Sequence, residues 1–385
     1  MKKELTFLIY FFSLIVCAQT AFQNNGNVRI HSDGKIGFHT NLVNNGDFTN
    51  NLGFAGFYAL NEIRTVSGSQ RAEFFDVDID ALNNLELQTS LGITNDLSFI
   101  SGKVITPRNN KNISLDFINY RLYAGEGDAN HVDGYSSIIS DTEFTFPIGD
   151  DDRLRVMRIP DQNSITIFKG AYYFSDPNST QPNFSNNTFT TSEKQIFLQN
   201  ISNIEFWDLD GSAETTVTLT WDNQSDITTI TNDLRQLRVV GWNETEQKWI
   251  DLGQSNINGD LNQGEITSNI FIPNDYVVIT LGSAANTDDL ANDNIYISPN
   301  GDGKNDVLVF EGLEQYKQNN LEIFNRWGNS VYKTVNYTNN WGGISNNPNT
   351  VDVKDGLPTG TYFYILKFGN SELDKVLKGW VYITR

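Results

Sequence analysis

The chain has 385 residues, with 27 Lys and Arg against 47 Asp and Glu, a net charge of −20 and one cysteine. That acidic balance argues against nucleic acid and anionic lipid surfaces as partners, and a lone cysteine excludes an internal disulfide and a Cys-ligated zinc site. Aromatic residues make up 12%, proline is scarce, and asparagine, glycine, serine and threonine abound, a mix that favours short strands joined by tight turns.

The first eighteen residues predict a signal peptide. Lys2 and Lys3 form a positive start, Leu5 to Val16 is an apolar run, and Val16-Cys17-Ala18 offers a small residue at the cleavage position. Leu14 to Cys17 is the alternative, a lipoprotein box with Cys17 acylated, but Val16 is bulky where such a box wants a small residue. A retained anchor is disfavoured because the run is short for a bilayer. Removing residues 1–18 takes away two Lys and one Glu, leaving 25 minus 46, or −21, and no thiol. Residues 295–385 hold nine Lys and Arg and nine Asp and Glu, so the whole excess lies in residues 19–294. A charge shift of that kind suggests two modules.

Over residues 19–115 short alternating strands recur, for example Lys35 to His39, Glu73 to Asp80, Asn84 to Gln88 and Asp96 to Ile100, with turns at Asn44-Asn45-Gly46-Asp47, Ser67-Gly68-Ser69 and Ser101-Gly102. The near-regular spacing predicts a β-solenoid-like stack, with a sandwich as the alternative, although no strict repeat emerges. In this region Asp76, Asp78 and Asp80 share one strand face, as a cation site or as a solvated face with Phe75, Val77 and Ile79 inward. Residues 116–283 predict one or two antiparallel β-sandwich domains. Ser164 to Phe168 and Ala171 to Phe174 are read as a hairpin across Lys169-Gly170, residues 175–192 as a long loop, and Leu237 to Trp242 with Gln247 to Leu252 as a hairpin bringing Trp242 near Trp249. Residues 284–294 read as a linker.

Candidate chemistry in these regions is sparse. His31, His39 and His131 are the only histidines and none lies at metal-ligand spacing, although His131 sits near Asp128 and Asp133. Trp221, Trp242 and Trp249 offer either a sugar-stacking platform or a buried core. Asn256, Asn258, Asp260 and Glu265 form a weak cation-loop pattern. No carboxylate pair is nominated for glycoside hydrolysis and no nucleophile signature is found, so a non-enzymatic adhesin or structural cargo is favoured over a carbohydrate-binding module or secreted hydrolase.

From Ile295 the texture changes. The alternation predicts strands over Leu321 to Asn325, Ser330 to Lys333, Thr361 to Phe368 and Val376 to Thr384, that is, an Ig-like β-sandwich of residues 295–385 in an all-β chain. Thr361 to Phe368 is apolar on both faces and is read as central. The last strand and its edge are read as the part presented to a receptor. The motifs Ser298-Pro299-Asn300-Gly301-Asp302-Gly303-Lys304-Asn305-Asp306, Leu321 to Gly328 with Asn325-Arg326-Trp327-Gly328, Val331-Tyr332, Asn340-Trp341-Gly342-Gly343, Leu357 to Tyr364 with Gly360 and Tyr362, and Lys378-Gly379-Trp380-Val381 with Arg385 occur in order. This segment resembles the gliding-motility-associated C-terminal domain, the type B sorting domain of type IX secretion substrates in Bacteroidetes. It departs from the family pattern at Gly342, where Asp is usual. The resemblance implies export across the inner membrane and periplasm to the cell surface or medium. The partners it implies are the outer-membrane translocon and a dedicated outer-membrane protein, with surface glycans as candidate partners of the cargo. Asn300, Asp302 and Asp306 form a candidate Ca2+ loop, weakened by Lys304 at a ligand position, with a turn held by side-chain hydrogen bonds as the favoured reading. Arg326 and Trp327 are a candidate cation–π pair.

Overall fold

A computed structural model describes residues 21–195, 198–284, 294–310, 313, 318–347, 356–368 and 375–385. The expected signal peptide and most of the expected linker lie outside the described residues. Chain contacts divide the protein into two units, Met1–Val156 with Asp161–Tyr172, and Met157–Pro160 with Tyr173–Arg385.

The first unit is a β-solenoid of about six turns. Each turn contributes one strand to each of two parallel sheets. Ala21–Asn24, Asn41–Asn44, Arg64–Ser67, Leu85–Leu87, Val104–Ile105, Val132–Asp133 and Ile148–Asp150 stack in one. Lys35–Phe38, Phe54–Ala59, Ala72–Ala81, Leu91–Ser101, Leu115–Ile118 and Ser136–Ser140 stack in the other. Parallel pairing therefore continues through residues 116–140, which the sequence reading gave to a sandwich. The parallel run of the second sheet ends when Thr166–Tyr173 pairs antiparallel with Ser136–Ser140. This is one unbroken strand and not the expected hairpin, because Gly170 stays extended opposite Ser136 and does not turn.

In-register stacking places like on like. Phe38 lies over Phe57 with ring centroids 5.0 Å apart, and Phe48 meets Phe74 edge-on at 4.9 Å. Such aromatic pairs add about 0.5–1.5 kcal/mol each beyond the area they bury. At the corners, buried asparagines satisfy the backbone where the chain leaves the ladder. The Asn24 amide donates to Asn44 Oδ1 twenty residues on at 2.8 Å, and the Asn44 amide donates to the Gln70 carbonyl at 3.0 Å. The stack leaves no room at the neighbouring corner, since a Cβ on Gly46 would lie 2.0 Å from the Gly26 carbonyl oxygen. A sequence echo accompanies this geometry, Asn24-Asn25-Gly26 recurring as Asn44-Asn45-Gly46.

Asp76, Asp78 and Asp80 lie on the partly exposed face of Ala72–Ala81, with Val77 and Ile79 buried. Phe74, rather than Phe75, points into the core, because the pairing register shifts between Phe74 and Asp76. Asp76 accepts from Asn95 at 2.7 Å and Asp80 from Ser101 at 2.6 Å, so two of the three carboxylates serve the sheet.

In the second unit, Met157–Ile159, Thr218–Trp221, Gly264–Thr267 and Asn256–Gly259 form an antiparallel sheet in that order. Ile279–Ala284 pairs with Leu198–Ile201, Phe206–Asp210 and Leu237–Asn243, and the last of these pairs with Lys248–Gly253 in the expected hairpin. Trp242 stands opposite Trp249 with rings 5.7 Å apart. The C-terminal sheet has the order Asn294–Ile297, Lys375–Ile383, Gly360–Phe368, Asn319–Phe324, Ser330–Val335. Its first pairing is parallel and the others antiparallel.

Replacing Asn44 with alanine removes a buried donor and acceptor together. We expect Asn44→Ala to lower stability by about 1–3 kcal/mol, read as an earlier urea transition of the full chain, whereas Asn25→Ala at an exposed corner changes it little.

Candidate functional site

The C-terminal sheet buries one face. Leu321, Ile323, Tyr362, Tyr364, Leu366, Val381 and Ile383 pack there against Leu308, Phe310, Tyr337, Trp341 and Leu357 from the connecting loops. Trp341 is buried, its indole N–H donating to the Ile344 carbonyl at 2.8 Å while its backbone N–H donates to the Tyr337 hydroxyl. Tyr362 donates to the Pro358 carbonyl at 3.0 Å, and burial raises its pKa. Gly379 faces inward opposite Tyr364, whose hydroxyl would lie 2.3 Å from a Cβ there, so this glycine makes room for a core aromatic. Gly360 opens its strand opposite Ile383. The Arg385 guanidinium donates to the carbonyls of Leu357 and Gly343 at 3.1 and 3.3 Å, tying two loops to the last strand. Pro299 approaches Gly343 beside this clasp.

The loop from Asn300 to Asp306 is held by its own side chains. Asp306 accepts backbone N–H groups from Asn300, Gly301 and Gly303 at 3.0, 2.7 and 2.8 Å. Those bonds, Gly301 and Gly303 foremost, hold its pKa below the usual carboxylate value. Asn300 Oδ1 accepts from the Asp302 N–H and Asp302 Oδ1 from the Lys304 N–H, while Asn305 closes the turn by accepting from Ser298. Both Asp306 oxygens already face N–H dipoles, which repel a cation. The geometry is that of side-chain-capped turns, and this is the physical reason the residues recur at alternate positions.

A second turn projects from the same end of the sheet, where Phe324 pairs with Phe363 near Gly360. Asn325 Oδ1 accepts from the Trp327 and Asn329 N–H groups, and Gly328 takes a positive φ. Trp327 is 70% exposed, with the Arg326 guanidinium 4.2 Å from its ring centroid. Trp380 also lies off the core, edge-on to Tyr296 at 6.0 Å. The structure thus divides the sequence motifs in two. Trp341, Tyr362, Gly379 and Arg385 build the domain, whereas Arg326, Trp327 and Trp380 face outward. The motif reading did not single out Phe324, Phe363 and Ile365, which line a groove of about 640 Å³ with Arg326 and Trp380. The apolar outward positions of Thr361 to Phe368 were the available signal.

The expected receptor-facing edge is corrected by the topology. The last strand, Lys375–Ile383, pairs with Gly360–Phe368 along its whole length, and Asn294–Ile297 covers its other side from Trp380 to Ile383. Gly360–Phe368 is central as expected, but only one of its faces is buried.

Residues 290–383 match the family model described as the CHU_C Type IX secretion signal domain. The C-terminal segment is a type IX secretion signal domain. No curated protein and no solved structure matches the chain. The signal domain begins at least five residues ahead of Ile295, so the strand Asn294–Ile297 belongs wholly to it. A signal of this type implies a secreted or surface-attached product in Bacteroidetes and recognition by the type IX machinery.

Outside the signal domain the candidate groups are brought into structural roles. Trp221, Trp242 and Trp249 are all buried, which removes the sugar platform. Asp260 caps its own turn by accepting from Asn262 and Gln263, and Glu265 is paired with Arg158 at 2.8 Å, so the cation pattern there dissolves. Asp133 and Asp150, which cluster with Asp151, both hold Arg108, at 2.7 and 3.1 Å. His39 stacks on Tyr58 at 4.8 Å. Burial, then Asp78 and Asp80, raises the pKa of that tyrosine. His131 is fully buried, with Nδ1 donating to the Gly127 carbonyl at 3.0 Å and Nε2 without a hydrogen-bond partner.

Two outcomes are expected. Asp306→Ala should expose amides 300, 301 and 303 to faster hydrogen exchange, while millimolar calcium leaves their exchange in the unmodified protein unchanged. Burial lowers the His131 pKa below its ordinary 6.5. Below pH 6.5 the unfolded chain therefore binds this proton more readily than the folded one, and stability is lost as pH falls through that range. His131→Phe should lose less stability than the unmodified chain between about pH 7 and 5, by urea unfolding.

Proposed function

We propose that this protein is a non-enzymatic adhesin or structural component of the cell surface or its surroundings, delivered through its C-terminal signal domain. The observation that carries the reading is the pairing of that domain with a solenoid whose chemistry is consumed by its own architecture. Asp116 exemplifies this, accepting from Arg71, Ser114 and Ser137 at 2.8, 2.5 and 2.6 Å. A catalytic acid or base needs a free partner for substrate, and the buried carboxylates described above spend their oxygens on the fold. A parallel coil in a chain whose acidic excess lies wholly in residues 19–294 suits a spacer or matrix element that must stay soluble and resist self-association.

One observation favours glycan binding as a second reading. The solenoid carries a groove where Arg71, Gln88, Asn112, Asp116, Ser137 and Lys169 stand among Ile113, Ile139 and Ile167. Its mixture of amide, hydroxyl and charged groups fits the hydroxyls of a polysaccharide better than an apolar ligand.

In the export reading, a Bacteroidetes host expressing the chain without residues 290–385 should retain it inside the cell. Recovery of the truncated protein at the surface or in the medium refutes the reading. A glycan array probed with residues 19–283 separates the two cargo readings, and in the structural one no glycan is retained.

A further inference from the structure

The outward face of the C-terminal sheet is aromatic where a solvent face should be polar. Strand register sets Phe324 opposite Phe363 and Phe363 opposite Trp380, a row across three strands. Tyr382, two residues beyond Trp380, and Tyr296 on the fourth strand extend it, 5.9 Å apart. Phe363 is 48% and Tyr296 58% exposed, and the core on the opposite face is complete without them. Contiguous exposed aromatics on a secreted protein invite aggregation unless they serve a contact.

The charged side chains that line the groove are both positive. Arg326 and Lys378 line the groove, and Lys378 has no carboxylate partner among the described residues. Glu322, the outward carboxylate of the neighbouring strand, is taken by Lys333 at 3.3 Å. Trp, Tyr and Arg are the side chains that dominate binding hot spots. From Trp380 to Ile383 the last strand is covered on both sides, so a partner cannot extend the sheet along that stretch.

We propose that this aromatic face, and not a strand edge, is the surface by which the signal domain docks on a protein of the secretion machinery, whose complementary surface is an apolar patch bordered by carboxylates. The proposal rests on the export reading. A second copy of the chain is a poor occupant, because a two-fold contact over this face would bring Arg326 and Lys378 against their own equivalents.

The test uses the full chain in a Bacteroidetes host, with surface and released protein measured against periplasmic protein. Phe363→Thr with Trp380→Thr keeps strand-forming residues and leaves the core untouched. Export should fall about tenfold or more, as expected for loss of two hot-spot side chains, while circular dichroism and protease resistance of the purified chain stay unchanged. The charge reversal Lys378→Glu, at an exposed site, should lower export in the same direction and decides the matter if the double variant does not fold. Normal export of folded Phe363→Thr/Trp380→Thr and of Lys378→Glu overturns the face proposal if the chain lacking residues 290–385 is still retained. Should that truncated chain be exported as well, the export reading itself has failed. Glycan binding or dimerisation lost in Phe363→Thr, with export intact, assigns the face to another occupant and also overturns the proposal.

Discussion

A parallel coil in register forces every inward side chain to meet its counterpart one turn on, and the solenoid depends on that constraint. It rewards identity: phenylalanine on phenylalanine in the core, and asparagine handing its amide to asparagine at the corner. It also punishes any misfit at once, because a side chain too large for one turn displaces the carbonyl of the next. The corner glycines and buried asparagines are therefore a single device, one clearing space for the approaching backbone and the other supplying the hydrogen bonds that the turning backbone forgoes.

The signal domain obeys a different logic. Its stability comes from one face of a five-stranded sheet closed by loops, with Arg385 drawing the loops at Gly343 and Leu357 onto the last strand. That arrangement leaves the second face free of structural duty. A sheet needs only one apolar face to fold, so aromatics on the other face answer to something outside the domain. The side chains of Asn300 to Asp306 play no part in this. They hold a turn, Asp306 by accepting three backbone N–H groups and Asn300 and Asp302 by accepting one each.

Much of this was legible in the chain. Alternation located the strands Leu237–Asn243, Lys248–Gly253 and Gly360–Phe368, and ordered motifs located the signal domain. What was hidden is mostly pairing. Alternation in a single strand does not say whether its neighbour runs parallel, so solenoid and sandwich stayed open although Asn24-Asn25-Gly26 and Asn44-Asn45-Gly46 held the answer. Lys169-Gly170 looked like a turn, yet the ladder to Ser136 keeps it extended, tertiary pairing overriding local propensity. Phe75 was assigned inward because strict period two has no place for the register shift beside Phe74. The apolar outward positions Phe363 and Ile365 looked buried because a sequence records hydrophobicity without recording what covers it.

The parallel pairing of Asn294–Ile297 with Trp380 to Ile383 has a consequence for the order of events during synthesis. The opening strand of the signal domain can take its place only after its partner, more than eighty residues later, has left the ribosome. Contacts that close so long a loop form late, whereas each solenoid turn needs only the one before it. The cargo can thus fold turn by turn while its address is still unreadable. A chain broken off before Trp380 would carry its solenoid turns paired and leave Asn294–Ile297 without its partner strand.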